Sequence, residues 1–191
     1  MSLPKLVAVL GSATPPGKQH AALAAAMERV EGRTFTTELV DLGTVAITPA
    51  GGPPQGDRDD TADVVAKLAA ADAVLLATPV YRGSLSGVLK NLLDHVPVEA
   101  LNGTPVGIVA QGASDHHYLG ADRHLRDVLT FFGSPVPPVS AYLTTADFAD
   151  GRPLDRGVDE IVAVVDGLAR LFAVTGGAPF GPPPLTERPR G

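Results

Sequence analysis

The stretch ADAVLLATPVYRGSLSGVLKNLLDHVP, residues 71–97, decides the reading of this chain. It opens on an unbroken apolar run at residues 73–77, the pattern of a strand whose sheet is covered on both faces. Pro79 ends that run, because proline cannot donate to a strand ladder. Tyr81 and Arg82 follow on a loop. Across residues 85–96, Leu85, Val88, Leu89, Leu92 and Leu93 then recur at the spacing of one helical face, before Pro97 stops the pattern. The order is strand, loop, helix.

Working outward, the same order recurs. Residues 6–10 and 106–110 are further continuous apolar runs, whereas residues 34–42 alternate more and are rich in threonine, as in a strand near a sheet edge. Residues 139–143 make a fifth strand, with Pro135, Pro137 and Pro138 confined to its start. Helices are expected over the alanine-rich residues 19–30, over 60–71 with Val64, Val65, Leu68 and Ala69 on one face, and over 119–132, stopping at Gly133. The last helix covers 158–174 with Ile161, Val162, Val165, Leu168 and Leu171. Strand and helix alternate five times, which predicts an α/β fold: a doubly wound parallel sheet with helices on both faces. Residues 1–175 read as one domain. Residues 176–191, rich in proline and glycine, can build neither helix nor sheet and form a flexible tail or an arm on a neighbouring subunit.

Composition narrows the function. The chain has 191 residues, 45% of them hydrophobic, which excludes wholesale disorder. Its net charge of −6 is the wrong sign for a protein living on phosphodiester backbones, so no nucleic-acid partner is expected. There is no cysteine, which excludes disulfides, thiolate catalysis and cysteine-ligated metal centres; redox chemistry would have to be carried by a bound cofactor. No stretch approaches the ~20 apolar residues that span a bilayer. The short apolar run after Lys5 reads as a first strand rather than a signal peptide, so a cytoplasmic protein with no membrane partner is expected.

In a doubly wound sheet, ligands bind beyond the carboxyl ends of the strands. The loop GSATPPGKQH, residues 11–20, leads from the first strand into a helix N-terminus, with hydroxyls and a cation at hand for an anion. It is no P-loop, because five residues separate Gly11 from Gly17 and Gln19 follows Lys18. Pro15 and Pro16 also remove amide donors. The dinucleotide fingerprint fails as well, since Ser12 and Ala13 stand where the close-approach glycine should be. The loop suits a monophosphate, or else is an unliganded turn. In the second loop, Gly83-Ser-Leu-Ser-Gly87 imitates a nucleophile elbow but has Leu85 at its midpoint, which argues against a serine hydrolase. Lys90 and Asp94 read as a surface pair four residues apart. In the third loop, Asp115, His116 and His117, with Asp122 and His124 beyond, lack a familiar ligand spacing, so no metal is expected and the two adjacent histidines are placed on the rim of a polar pocket.

The pairing of Gly11-Ser12 after the first strand with Thr78-Pro-Val-Tyr81 and Gly87-x-Leu-Lys-Asn-x-Leu-Asp94 after the third resembles the NAD(P)H-dependent FMN reductases. More narrowly, it is similar to the flavin suppliers of two-component monooxygenases of the alkanesulfonate type. The resemblance covers roughly residues 5–175. It implies a flavodoxin-like sheet of five strands in the order 2-1-3-4-5, a homodimer or homotetramer, and FMN with NADPH or NADH as cofactors. Hydride would pass from the nicotinamide to flavin N5 without a catalytic side chain, and reduced FMN would go to a partner monooxygenase. By position, Ser12, Lys18, Gln19 and His20 would hold the FMN phosphate. Thr14 stands in that stretch where the family usually has arginine, and Gly17 where it has serine, leaving Lys18 and His20 to supply the missing donors. The resemblance sets Pro79, Val80, Tyr81, Arg82 and Gly83 against the isoalloxazine ring and Gln111, Gly112, Ala113 and His117 on its other side. Arg82 and His117 are the candidates to stabilise negative charge on the reduced flavin. Alternative readings are a reductase of quinones, azo dyes or metal oxyanions that keeps its FMN, and a non-enzymatic flavodoxin-like electron carrier. The absence of tryptophan and the moderate acidity count against the carrier.

Overall fold

The computed structural model describes residues 2–182 except Pro15 and Gln55. Five strands form one sheet: β1 (Lys5–Leu10), β2 (Thr36–Asp41), β3 (Ala73–Pro79), β4 (Val106–Gln111) and β5 (Ala141–Leu143). All neighbours are parallel, in the order β2-β1-β3-β4-β5, as the resemblance implied. The helices between them are α1 (Lys18–Val30), α2 (Thr61–Ala69), α3 (Gly87–Leu93), α4 (Tyr118–Phe132) and α5 (Asp155–Thr175). The chain runs outward from β1 to β2 and returns to β3 on β1's other side. The direction of winding therefore reverses between β1 and β3, and a crevice opens at their carboxyl ends.

The continuous apolar runs follow from burial on both faces. Successive side chains of a strand point to opposite sides. Leu6, Ala8 and Leu10 of β1 and Leu75 and Ala77 of β3 enter a layer with Ala22, Leu23 and Met27 of α1 and Ile161, Val165 and Leu168 of α5. Val7, Val9, Val74 and Leu76 face the opposite layer, built with Val64 and Leu68 of α2, Leu89 and Leu92 of α3, and Leu125 and Leu129 of α4.

The structure corrects several boundaries. β5 has three residues rather than five, because only Ala141–Leu143 pair with β4, while Val139 is 75% exposed behind Pro137 and Pro138. α3 starts at Gly87 rather than residue 85, since Ser86 takes up the Leu89 N–H as its cap. Beyond Leu93 that segment tightens into i→i−3 turns at His95 and Val96. α5 starts earlier than expected, at Asp155, and closes at Gly176 in the left-handed conformation. A small antiparallel hairpin, β6 (Phe148–Ala149) and β7 (Arg152–Pro153), was not expected at all. At the start of the expected tail, Ala178 lies against Gly103 of the same chain. Residues 183–191 of that tail lie outside the described residues. No described helix is long and apolar enough to cross a membrane.

Candidate functional site

The ends of β1 and β3 are laced together beneath the crevice. Gly11 N–H donates to the Ala77 carbonyl at 2.7 Å, and Ser86 Oγ donates to the Gly11 carbonyl at 2.5 Å. Ser86 N–H in turn donates to Thr78 Oγ1 at 2.9 Å, and Ser86 Oγ accepts from Leu89 N–H at 3.2 Å. A Cβ at Gly11 would come within 2.7 Å of Leu89 Cβ, so only glycine lets β1 end this close to α3. The second serine of the false nucleophile elbow is thus a brace and a helix cap, a role its sequence context did not reveal.

Above this lacing lies a cavity of about 170 Å³, lined by Leu10, Ser12, Thr14, Gly17, Lys18, Gln19, His20, Pro79, Tyr81 and Gln111. It gathers most of the candidates drawn from the three loops. Its size suits a phosphate-like head and the chain behind it rather than a whole flavin. α1 begins at its wall, with Gly17 as an N-cap that supplies no side-chain bond and with no acidic residue in the first turn. The first N–H groups of a helix have no partners within it, and the dipole adds positive potential there. This is a ready anion site.

The side chains around it divide by what else they do. Ser12 Oγ and Thr14 Oγ1 are hydrogen-bonded to each other at 2.8 Å and stay exposed. Lys18 Nζ rests 5.7 Å from the centre of the Phe148 ring at the cavity's edge. Gln19, expected at the phosphate, is 7% exposed, and its Nε2 donates to the Thr78 carbonyl at 3.1 Å, so its amide pins α1 to β3. One supporting residue lies outside the sequence expectations. Asp41, at the end of β2, is buried and accepts Gly43 N–H through Oδ1 at 2.8 Å, and Gly43 lies directly against the Thr14 carbonyl. Asp41 Oδ2 has no hydrogen-bond partner among the described residues. Only a three-dimensional contact joins β2 to that loop, and no spacing rule reaches it.

Tyr81 and Ser84 exchange two backbone hydrogen bonds of 3.0 Å, closing a two-residue turn. Arg82 and Gly83, at its centre, have φ of 53° and 74°, the dihedral signs of a type I′ turn. Glycine adopts this conformation freely, whereas arginine there carries about 1–2 kcal/mol of backbone strain. The turn is clamped from α4: Gly120 packs onto the Gly83 carbonyl so closely that a Cβ would clash, and His124 Nδ1 and Ser84 Oγ hydrogen-bond at 2.8 Å. Tyr81 stands at the rim, 54% exposed.

On the β4 side, the Gln111 carbonyl accepts Val80 N–H at 2.8 Å and the Leu143 carbonyl accepts Gly112 N–H at 3.0 Å. Val80 and Gly112 therefore spend their amides on holding strand ends in register. Ala113 O accepts from Thr145 Oγ1 at 3.4 Å. Gln111 Oε1 is buried and has no partner among the described residues. Such an acceptor costs about 1–3 kcal/mol while it stays unmet. Val80, Arg82, Gly83, Gly112 and Ala113 are next to lining residues in sequence or follow them closely but do not themselves line the cavity, and His117 lies on an exposed 3₁₀ turn, Asp115–His117. The neighbouring polar residues are dispersed: His116 Nδ1 meets Ser114 Oγ at 3.1 Å, Asp122 pairs with Arg126 at 2.9 Å, and His124 goes to Ser84. Burial, with the Asp115 charge behind it, pushes the Tyr142 phenol above its ordinary value, and its hydroxyl donates to the Ser114 carbonyl at 2.8 Å. Lys90 and Asp94 form the expected surface pair at 2.5 Å.

The model of the family described as NADPH-dependent FMN reductase matches residues 4–148. The chain is 37% identical over 155 residues to an NADH-dependent FMN reductase, SfnF, of Pseudomonas fluorescens, covering 78% of this chain and 82% of that one. It is 34% identical over 128 residues to an NAD(P)H-dependent FAD/FMN reductase of Geobacillus thermodenitrificans, covering 66% and 69%. Among solved structures, the apo form of an NADH:FMN oxidoreductase superposes with a TM-score of 0.70 at 24% identity, over 87% of this chain and 89% of that one. A flavodoxin from the Archaea superposes with a TM-score of 0.63 at 12% identity, over 87% and 96%. At these identities the structural likenesses speak for the fold.

Proposed function

This chain belongs to the NADPH-dependent FMN reductase family, and from that premise we propose that the crevice at residues 12–20, 79–83 and 111–117 is its flavin seat and that the flavin comes and goes as a substrate. The chain is an NAD(P)H-dependent FMN reductase, an oxidoreductase whose cofactors are FMN and NADH or NADPH. FMN, when bound, supplies the redox chemistry by accepting a hydride at its N5.

The observation that carries the seat is Gln111 Oε1, a buried acceptor in the cavity wall with no donor among the described residues. Buried polar groups are almost always satisfied, so this one is built for a ligand N–H such as a flavin ring carries. The remaining residues fit the other parts of the molecule. The uncapped start of α1 and the Ser12 and Thr14 hydroxyls would hold the phosphate, with Lys18 and His20 adding positive charge from the edge. The Tyr81–Ser84 turn, locked by Gly120 and His124, would give the ring a rigid platform, and rigid positioning is the main help a hydride transfer needs. Arg82, at the tip of that turn, and His117, farther out, keep the electrostatic roles proposed for them.

Exchange of the flavin follows from how the phosphate is held. Threonine at position 14 provides no bidentate guanidinium, Pro16 provides no N–H, and the Lys18 ammonium is shared with Phe148. The Asp41 carboxylate lies beneath the same loop. A site made of dipoles and hydroxyls suits a flavin that leaves, as delivery to a partner monooxygenase requires. A cytoplasmic homodimer or homotetramer belongs to the same proposal. The apolar groove between α3 and α4, with Phe131 58% exposed beside Leu93, Val96 and Val128, is the contact surface it would use.

The test is steady-state oxidation of NADH and NADPH with FMN, FAD and riboflavin side by side. FMN should give the highest kcat/KM. Oxidation of neither nicotinamide above the protein-free rate would remove the reading. A protein that stays yellow through purification and reduces quinones by ping-pong kinetics would make FMN a resident group instead.

A further inference from the structure

The Tyr81–Ser84 turn separates the flavin seat from a second, solvent-facing cavity of about 430 Å³ lined by Arg123, His124, Arg126 and Asp127. The turn meets the two cavities through different residues. Tyr81 lines the first, while Ser84 is hydrogen-bonded to His124 of the second at 2.8 Å. Arg123 and His124 follow Gly120 by three and four residues on α4, so they stand one helical turn along the face that packs on Gly83.

The chemistry of this second cavity is that of an anion site. Arg123 and Arg82 are both exposed, and the side chain of neither makes a hydrogen bond or ion pair among the described residues. Arg126 is already engaged, donating to Asp122 at 2.9 Å and to the Pro138 carbonyl at 3.3 Å. Asp127 is the one carboxylate among the described residues that line it. Arg82 adds an independent observation. Its φ of 53° is a conformation in which glycine or asparagine would be unstrained. Strain of this kind persists where the side chain it displays has work to do. Here the turn holds at its tip a guanidinium that no other described residue engages.

We propose that Arg82 and Arg123, assisted by His124, bind the phosphates on the adenosine half of the reduced nicotinamide dinucleotide, which crosses the Tyr81–Ser84 turn with its nicotinamide over the flavin seat. This rests on the flavin-seat reading above and adds to it where the other end of the dinucleotide is held. Planar guanidinium groups match phosphate oxygens two at a time, which a lysine cannot do. NADH offers this surface only its pyrophosphate, whereas NADPH offers a monoester phosphate as well. The same cations thus bear on the choice between the two.

The experiment is calorimetric titration of the flavin-free protein with 2′,5′-ADP, 5′-ADP and adenosine, in the unaltered chain and in Arg82→Asn, Arg123→Gln and the double variant. Asparagine tolerates the left-handed turn, and position 123 is an exposed helical site, so both variants keep the fold. Both nucleotides should bind more tightly than adenosine. The double variant should lose about tenfold or more in nucleotide affinity, and the KM for the nicotinamide should rise with it. A loss confined to 2′,5′-ADP and NADPH assigns the surface to the monoester phosphate. An equal loss for 5′-ADP and NADH assigns it to the pyrophosphate. Nucleotides that bind no better than adenosine, or a double variant with unchanged affinity and KM, would overturn the proposal, and oxidation of a nicotinamide by the unaltered chain would then leave the flavin-seat reading standing. Failure of the unaltered protein to oxidise either nicotinamide would instead remove the flavin-seat reading, and this inference with it.

Discussion

Ser86 and Gly11, 75 positions apart in sequence, are joined by a 2.5 Å hydrogen bond that fastens the end of β1 to the start of α3. The same hydroxyl accepts the Leu89 N–H, so one side chain caps a helix and holds the floor of the crevice. Ser86→Ala removes a cap, worth about 1 kcal/mol, and leaves the Gly11 carbonyl unpaired, at about 1–3 kcal/mol. Urea unfolding should show a loss of about 2–4 kcal/mol together with weaker FMN binding. An unfolding midpoint equal to that of the parent would contradict this account of the brace.

Lys18 should matter to the phosphate and not to the ring. Replacing it with alanine should weaken FMN several-fold while riboflavin, which lacks the phosphate, stays within about twofold. Fluorescence titration of both flavins checks this. Equal losses for the two would remove Lys18 from the phosphate end and leave it only its contact with Phe148.

Gln111→Leu separates stability from function. It replaces an unmet buried acceptor with an apolar group of similar length, so the flavin-free protein should gain about 1 kcal/mol. Affinity for FMN should fall by about tenfold or more. Thermal melting with and without FMN reads both effects. A variant that melts lower when empty yet binds flavin normally would show that the carbonyl oxygen has no part in the seat.

The edge of the sheet at β2 carries a pH dependence with a defined sign. Glu38 accepts from Lys5 at 2.7 Å and pairs with Lys67 at 3.2 Å; the Lys5 bond, against some desolvation and with help from Lys67, holds its carboxyl below the ordinary glutamate value. A carboxyl whose folded value lies below its unfolded one stabilises fully above the unfolded value, about 4.3, and loses that contribution as pH falls through the folded one. The melting-temperature difference between the parent and Glu38→Gln should therefore be positive at pH 7 and shrink below about pH 4.3. The effect is small, within about 1 kcal/mol, because the groups are partly exposed. A difference that grew on acidification would reverse the assignment.

The sheet was legible because burial on both faces leaves short unbroken apolar runs, as in residues 73–77, whose length and flanking proline and glycine separate them from a buried helix. Boundaries were less so. Leu85 fits the apolar stripe of α3 but lies before its cap, and Val139 is β-branched yet exposed and outside the paired residues of β5. The β6–β7 hairpin is too short for any periodicity, although Asp150-Gly151, with φ of 49° and 77°, is the dipeptide that favours such a turn. At the site, motif and position picked out loops that do converge on one cavity. They could not tell Gln19, whose amide is consumed by Thr78, from Ser12, whose hydroxyl faces outward. Nor could they reach Asp41, whose relation to Thr14 exists only after folding.

Each central strand is gripped twice, with alternate residues sunk into separate apolar layers, and neither grip passes through residues 12–14, 81–83 or 113–117. Foundation and superstructure are consequently decoupled. A lineage bearing this architecture is free to retune which nicotinamide it accepts, or how long it keeps a flavin, by rewriting a few crest positions with no compensating repairs below. Directed evolution confined to those crests should meet a gentle landscape.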